Sequence, residues 1–338
     1  MYIISRMWSV ARRMSSPRAR MSTSAPAHVP AAAPVPPLYA QPPPPLPPTV
    51  ATLTAFLASF FPLKPKDVPF RYHIPRSPGV ESTPAPRLVR CVLSITPTRG
   101  VYEALHRGSD SPPLAFLHRP FGLDRWKVPR GSTVLSSHVG FDEVLTTGWN
   151  TALASRLGID VADSVCLQGY KGDPERRIGL VGGVDSSLED LIGTISHEFR
   201  CSPEVHGVSD DEIVSQRITA VAIMNAFHPD EVNRVMEAAH KKGWLPYGPT
   251  DGSTVLYLTG QPREAGLAAT REKGMKVICV GHRECEQWGI SYLASRVRSE
   301  FPMIEVEEIH EEEEKTIRPQ RQSKGPTNAP PAIRGPSV

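Results

Sequence analysis

The chain of 338 residues has little cysteine, no long apolar run and no acidic residue before Asp67. Its cysteines, Cys91, Cys166, Cys201, Cys279 and Cys285, are odd in number and form no C-x-x-C pair. That argues against a disulfide framework or a structural zinc and suits a reducing compartment. No apolar stretch reaches the roughly 18 residues that a membrane-spanning helix needs, so no membrane association is expected. No P-loop or other nucleotide motif occurs. The formal charge of +3 comes largely from arginine-rich ends, while Glu305 to Glu314 reads as an acidic run, so a nucleic-acid-binding face is not indicated.

What is abundant at the start is arginine and proline. Arg6, Arg12, Arg13, Arg18 and Arg20 stand among serines and large apolar residues with no acid between them, the composition of a mitochondrial transit peptide. A second start at Met21 would give a cytoplasmic form. Pro42 to Pro48 is almost pure proline and favours an extended linker. The segment from Thr316 to Val338 is polar and rich in Pro, Gly and Gln, a composition that cannot offset ordering entropy. The expected organisation is a disordered leader and linker over 1–50, a first α/β half over 51–183, a second over 184–315 and a disordered tail over 316–338.

Between these ends, apolar runs of strand length alternate with helical patterns. Strands are expected at Leu88 to Ile95, Pro113 to Leu117, Thr133 to Ser136, Ile218 to Met224, Val255 to Leu258 and Lys276 to Val280. Helices are expected at Thr52 to Phe61, Gly100 to Arg107, Gly148 to Leu157, Leu188 to Phe199, Pro229 to Lys242, Ala265 to Glu272 and Cys285 to Glu300. Such alternation predicts mainly parallel sheets covered on both faces, here as two quasi-symmetric α/β lobes with His118 and His282 at equivalent strand ends.

Three strand ends carry histidines: Leu117-His118-Arg119-Pro120, Ser137-His138-Val139-Gly140-Phe141-Asp142 and Gly281-His282-Arg283-Glu284-Cys285-Glu286. Ligands in open α/β sheets bind beyond the carboxyl ends of strands, and residues i and i+4 share one face of a helical turn. His118, His138, Asp142, His282 and Glu286 are therefore candidate ligands of a common Zn, Mn or Fe(II) site with positions open for water or substrate. Taken singly, His118 reads as a strand-end histidine bonded to backbone, Asp142 as a helix cap, and Glu286 as an acid facing a helix dipole. The repeated layout favours the shared metal.

These segments resemble the metal motifs of the NIF-three-like family, also known as GTP cyclohydrolase I type 2 homologues. Leu117-His118-Arg119-Pro120-Phe121 is similar to its His-His-Pro strand end, with Arg119 where a second histidine would stand. Residues 137–142 match its His-Thr-x-x-Asp segment, and residues 281–286 its late Gly-His-x-x-Ser/Thr-Glu. Arg177-Ile178-Gly179 and Val255 to Gly260 add smaller matches, and the similarity runs from about Val89 to Ile309. The histidine pair that members carry after the Thr-Gly turn is replaced by Gln261-Pro262-Arg263-Glu264. The resemblance implies two lobes meeting at a metal site, typically dinuclear, and assembly into a homo-oligomer. Two functional classes follow. One is a metal-dependent hydrolase acting on a small molecule, GTP cyclohydrolase-like or related; in it Arg119 either leaves one metal lost or weakly held, having no lone pair to offer, or binds an anionic substrate through its planar fork, the plain alternative being a surface arginine. The other is a regulatory or interaction protein with a structural or vestigial metal.

Overall fold

The computed structural model describes residues 48–312, apart from 63, 76–87, 109–110, 210–212, 214–215 and 246–250. The arginine-rich leader, Met21, the proline tract before Pro48 and the tail beyond 312 lie outside the described residues. Among those described, no helix is long and apolar enough to cross a membrane.

The elements run α1 (Val50–Ala58), β1 (Arg71–His73), β2 (Arg90–Ser94), α2 (Arg99–His106), β3 (Leu114–Leu117), β4 (Thr133–Ser136), α3 (Val139–Val144), α4 (Thr151–Arg156), β5 (Val165–Tyr170) and β6 (Asp173–Ser187). The chain continues with α5 (Leu188–Phe199), β7 (Glu204–His206), β8 (Arg217–Met224), α6 (Pro229–Lys241), β9 (Val255–Thr259), α7 (Glu264–Glu272), β10 (Lys276–Cys279), α8 (His282–Glu300) and β11 (Glu305–Ile309). Start signals are local. Thr49 caps α1 through Thr52 in a reciprocal box, and Ser187 accepts from Asp190 N–H at the start of α5. Pro229 opens α6 with Asp230 and Glu231 in its first turn and Lys241 in its last.

A five-stranded sheet has the order β1-β4-β3-β2-β11, and a six-stranded sheet the order β5-β6-β8-β9-β10-β7. Within them lies a repeat. In each, an edge strand that precedes three parallel strands in sequence pairs antiparallel with the last of them: β1 with β4 beside β3 and β2, and β7 with β10 beside β9 and β8. This is the two-lobed α/β architecture that the alternation predicts, with two corrections. The six-stranded sheet is mixed, because β5, β6 and β8 pair antiparallel. The topological partner of His282 is His138, since both follow the third parallel strand and stand at the start of a helix; His118 follows the second.

The antiparallel strands escape a periodicity reading for physical reasons. Lys171 and Gly172 both have positive φ, 49° and 78°, the geometry of a two-residue hairpin turn, and Lys-Gly is a weak signal for it. The presumed acidic run contains β11, which pairs parallel with β2, Val306 beside Cys91 and Ile309 beside Ser94. The chain thus returns at its end to the first sheet, and position 183, expected as the boundary between halves, falls inside β6 of the second.

Helix α8 packs into both lobes. Ile290, Leu293, Ala294 and Val297 join Leu93, Phe116 and Phe141 in the core under the first sheet, while Cys285 and Trp288 join Leu258 and Ile278 under the second. The close approach requires Gly289. A Cβ there would lie 2.5 Å from the Phe141 ring and 2.6 Å from the Leu145 carbonyl oxygen. Gly289→Val should therefore destabilise the chain by about 1–3 kcal/mol, the usual cost of overpacking; an unchanged thermal midpoint would show that α8 can back away.

Glu308 ties β11 to α8. Its carboxylate accepts from Ser291 Oγ at 2.7 Å and Arg298 Nη1 at 2.7 Å, with His310 Nε2 at 3.3 Å. Burial alone would raise its pKa, but these partners outweigh it and hold the group at about 2. A carboxylate with a depressed folded pKa contributes stability above its unfolded value that is lost as pH falls through the folded one. Urea denaturation of Glu308→Gln should thus show a stability deficit at neutral pH that narrows as pH falls from about 4.5 to about 2. A deficit independent of pH would contradict the role.

Candidate metal centre

His118 stands immediately past β3. Its backbone N–H bonds Ser94 O at 3.2 Å, continuing the pairing with β2 beyond the strand, and its ring is fully buried, stacked on Phe141 at 4.2 Å. Nδ1 lies 3.2 Å from the Ser137 carbonyl oxygen, which can only accept, so Nδ1 carries a proton. Nε2 lies 3.3 Å from Asp142 Oδ1 and 3.2 Å from Glu286 Oε1. Burial pulls the imidazole pKa down, yet hydrogen bonds to Asp142 and Glu286 overcome this and raise it to about 9.

His138 occupies the position before α3 without capping it. Asp67, distant in sequence, does so instead: Oδ1 accepts from the N–H groups of His138 and Val139 at 2.9 and 3.0 Å, and Oδ2 accepts from Gly140 N–H at 2.9 Å and Ser137 Oγ at 3.0 Å. Burial pushes the Asp67 carboxyl up, and these backbone bonds bring it below its ordinary value. The capped turn presents the His138 ring 5.0 Å from that of His118. Burial lowers the His138 pKa, with Asp142 opposing, so the ring is neutral at neutral pH. Its Nδ1 is buried without a hydrogen-bond partner.

Among the described residues, His118, His138 and Asp142 each offer a ligand atom within 4.8 Å of the other two. Two imidazoles and a carboxylate suit Zn, Mn or Fe(II), and His138 in addition keeps a buried nitrogen, Nδ1, without a hydrogen-bond partner. The cluster can hold a metal ion. Glu286 and His282 adjoin it. Glu286 is 1% exposed; its Oε1 meets His118 Nε2 and, at 3.3 Å, His282 Nε2, while its Oε2 accepts from Arg119 Nη2 at 3.2 Å. Burial would raise the Glu286 pKa, but His118, His282 and Arg119 hold it at about 2. The His282 pKa is raised chiefly by its bond to Glu286. His282 begins α8, three residues earlier than the pattern of that helix suggests, after Gly281 at φ 102°, a conformation glycine adopts without strain. All the candidate residues thus come to one place, arranged around the His118 ring.

Two features were not legible in the sequence. Asp67 was visible as the first acid, but nothing local reveals what it caps. Arg176, beside Arg177 of the Arg-Ile-Gly match, places Nη2 3.6 Å from Asp142 Oδ2. Arg119 borders an outer cleft of about 1590 Å³ shared with α2, whereas Asp142, His282 and Glu286 line a separate cavity of about 220 Å³.

No family model and no curated protein matches the chain. Solved structures do. The Staphylococcus aureus hypothetical protein SA1388 is 15% identical, with 78% of this chain and 96% of that one covered and a TM-score of 0.51. The chain has the fold of SA1388. Reduced HcgD from Methanocaldococcus jannaschii follows at 16% identity, 77% and 97% coverage and a TM-score of 0.49. A Bacillus cereus protein related to NIF3 follows at 12% identity, 80% and 99% coverage and a TM-score of 0.46. At these identities the likeness is one of fold alone.

Proposed function

We propose that the chain is a metal-dependent hydrolase of a small molecule, holding one divalent transition ion on His118, His138 and Asp142. The observation that carries this reading is the three-donor cluster with the unpartnered Nδ1 of His138. Bound there, such an ion would supply Lewis acidity and a water of lowered pKa. The chain's own residues do the rest. The Ser137 carbonyl fixes the His118 tautomer, leaving Nε2 aimed at Asp142 and Glu286. Glu286, kept ionised by His118, His282 and Arg119, fixes His282, whose side chain is 58% exposed. His282 is then the group placed to exchange a proton between the site and solvent. The reaction class is hydrolysis at a carbonyl, imine or phosphoryl centre, of which GTP cyclohydrolase-like ring opening is one case.

Metal analysis of the purified chain tests this. A stoichiometric, exchangeable transition metal is expected, and its absence after growth in metal-replete medium would overturn the reading. One observation favours the second class, an interaction protein with a structural metal: Trp126 and Phe121, on the β3–β4 loop beside the site, are 99% and 64% exposed. In that case Trp126→Ser should abolish partner capture while leaving metal content intact.

A further inference from the structure

The 220 Å³ cavity is smaller than the sites of drug-sized ligands and has more positive charge at hand than its structure uses. Arg176, on β6, keeps Nε buried without a hydrogen-bond partner, and its only ion pair among the described residues, to Asp142, is stretched to 3.6 Å. Arg263, just before α7, also lines the cavity, and its side chain makes no hydrogen bond or ion pair among the described residues; its carbonyl accepts from Leu267 N–H at 2.9 Å. A buried guanidinium nitrogen without an acceptor, as in Arg176, is costly unless something accepts from it, and the planar fork of either arginine matches oxyanions. Asn225, Thr259 and Gln261 add short polar groups, and Tyr170 and Phe227 supply an aromatic wall.

From this arrangement we infer that the cavity binds a small oxyanion-bearing ligand, a phosphate or carboxylate, clamped between Arg176 and Arg263. This rests on the proposed metal centre and names the substrate class of the same site. It also moves anion recognition away from Arg119, whose guanidinium is engaged by Glu286 and faces the outer cleft. Asp142 joins the two sites. Asp142 pairs with Arg176 only while its carboxylate is not otherwise engaged; were it to hold a divalent ion, the Arg176 guanidinium would be left for an anion, so metal and anion should bind with positive, reciprocal coupling.

The test is calorimetric titration of the full chain with inorganic phosphate and, separately, malonate, with and without Zn²⁺, metal content being measured on the same samples. Binding of at least one of the two anions is expected, tighter with Zn²⁺. Arg176→Gln and Arg263→Gln should each weaken it by about tenfold or more, and Lys127→Gln, which removes a surface charge outside this cavity, should leave it within about twofold. A preference for phosphate or for malonate assigns the group within the class. Wild-type affinity in both arginine variants, a loss confined to Arg119→Gln, or no binding of either anion would each overturn the assignment. Circular dichroism of each variant separates loss of binding from loss of fold, and Arg263, being exposed, is the variant least exposed to that problem. A chain that takes up metal but ignores both anions loses this inference and keeps the metal reading. A chain that takes up no metal but binds anion through both arginines does the reverse.

Discussion

His138→Ala is expected to lower affinity for a divalent transition ion by more than about 100-fold, while His282→Ala lowers it by about 100-fold or less. The ordering follows from donor geometry. His138 belongs to the set whose ligand atoms lie within 4.8 Å of one another and keeps a buried, unpartnered nitrogen; His282 reaches that set only through Glu286. Supporting groups around a metal typically contribute 10–100-fold in affinity, so loss of a direct ligand should exceed that range. His138 is half-buried and bonded to Asp67 through its backbone N–H, so its ring can be removed without emptying the core. Competition titration with a chromogenic chelator measures both variants, and a larger loss for His282→Ala would relocate the ion to the Glu286 side. Metal uptake should also weaken as pH falls below about 9, because Nε2 of metal-free His118 is protonated up to that value and must release its proton to coordinate.

Arg119→His is expected to raise bound metal from one ion per chain towards two. Guanidinium has no lone pair to offer, and in this chain it lies against the outer oxygen of a buried carboxylate, Glu286 Oε2 at 3.2 Å. A cation already in that place repels a dication. An imidazole there would complete a second donor set with Glu286 and His282. Arg119→Gln separates the two effects, since it removes the charge without supplying a strong donor. It should leave stoichiometry at one and cost about 1–3 kcal/mol, the penalty of a buried group losing a partner. Equal stoichiometry in wild type and Arg119→His would mean that the guanidinium is not what limits the site to one ion.

The local part of this design is legible in the sequence. β3 is a continuous apolar run and β4 an apolar pair flanked by Thr133 and Ser136, both buried throughout, and α5 and α6 carry their own start signals, so periodicity and caps suffice to place them. His118, His138 and His282 are legible as ligand candidates for the same reason: each stands within three residues of a strand end, and the end of a parallel strand is a predictable position.

What periodicity cannot show is which distant group meets which. The Asp67 carboxylate caps a turn some 70 residues away, with contacts at sequence separations of 70 to 73. β11 looks acidic because its charges are paired in space, Glu308 with Arg298 and Glu307 with Arg107. The hairpin of β5 and β6 depends on a Lys-Gly turn whose positive φ values are set by strand pairing. Sequence alone determined the α/β alternation, the three strand-end histidines and the carboxylates one turn beyond two of them. Only the tertiary structure decided that His282 is the counterpart of His138, that Arg119 is held by Glu286, and that Arg176 faces the cavity. The reason is physical: hydrophobic period and capping act over a few residues, whereas charge pairing and ligand convergence depend on where Gly289 lets α8 cross α3.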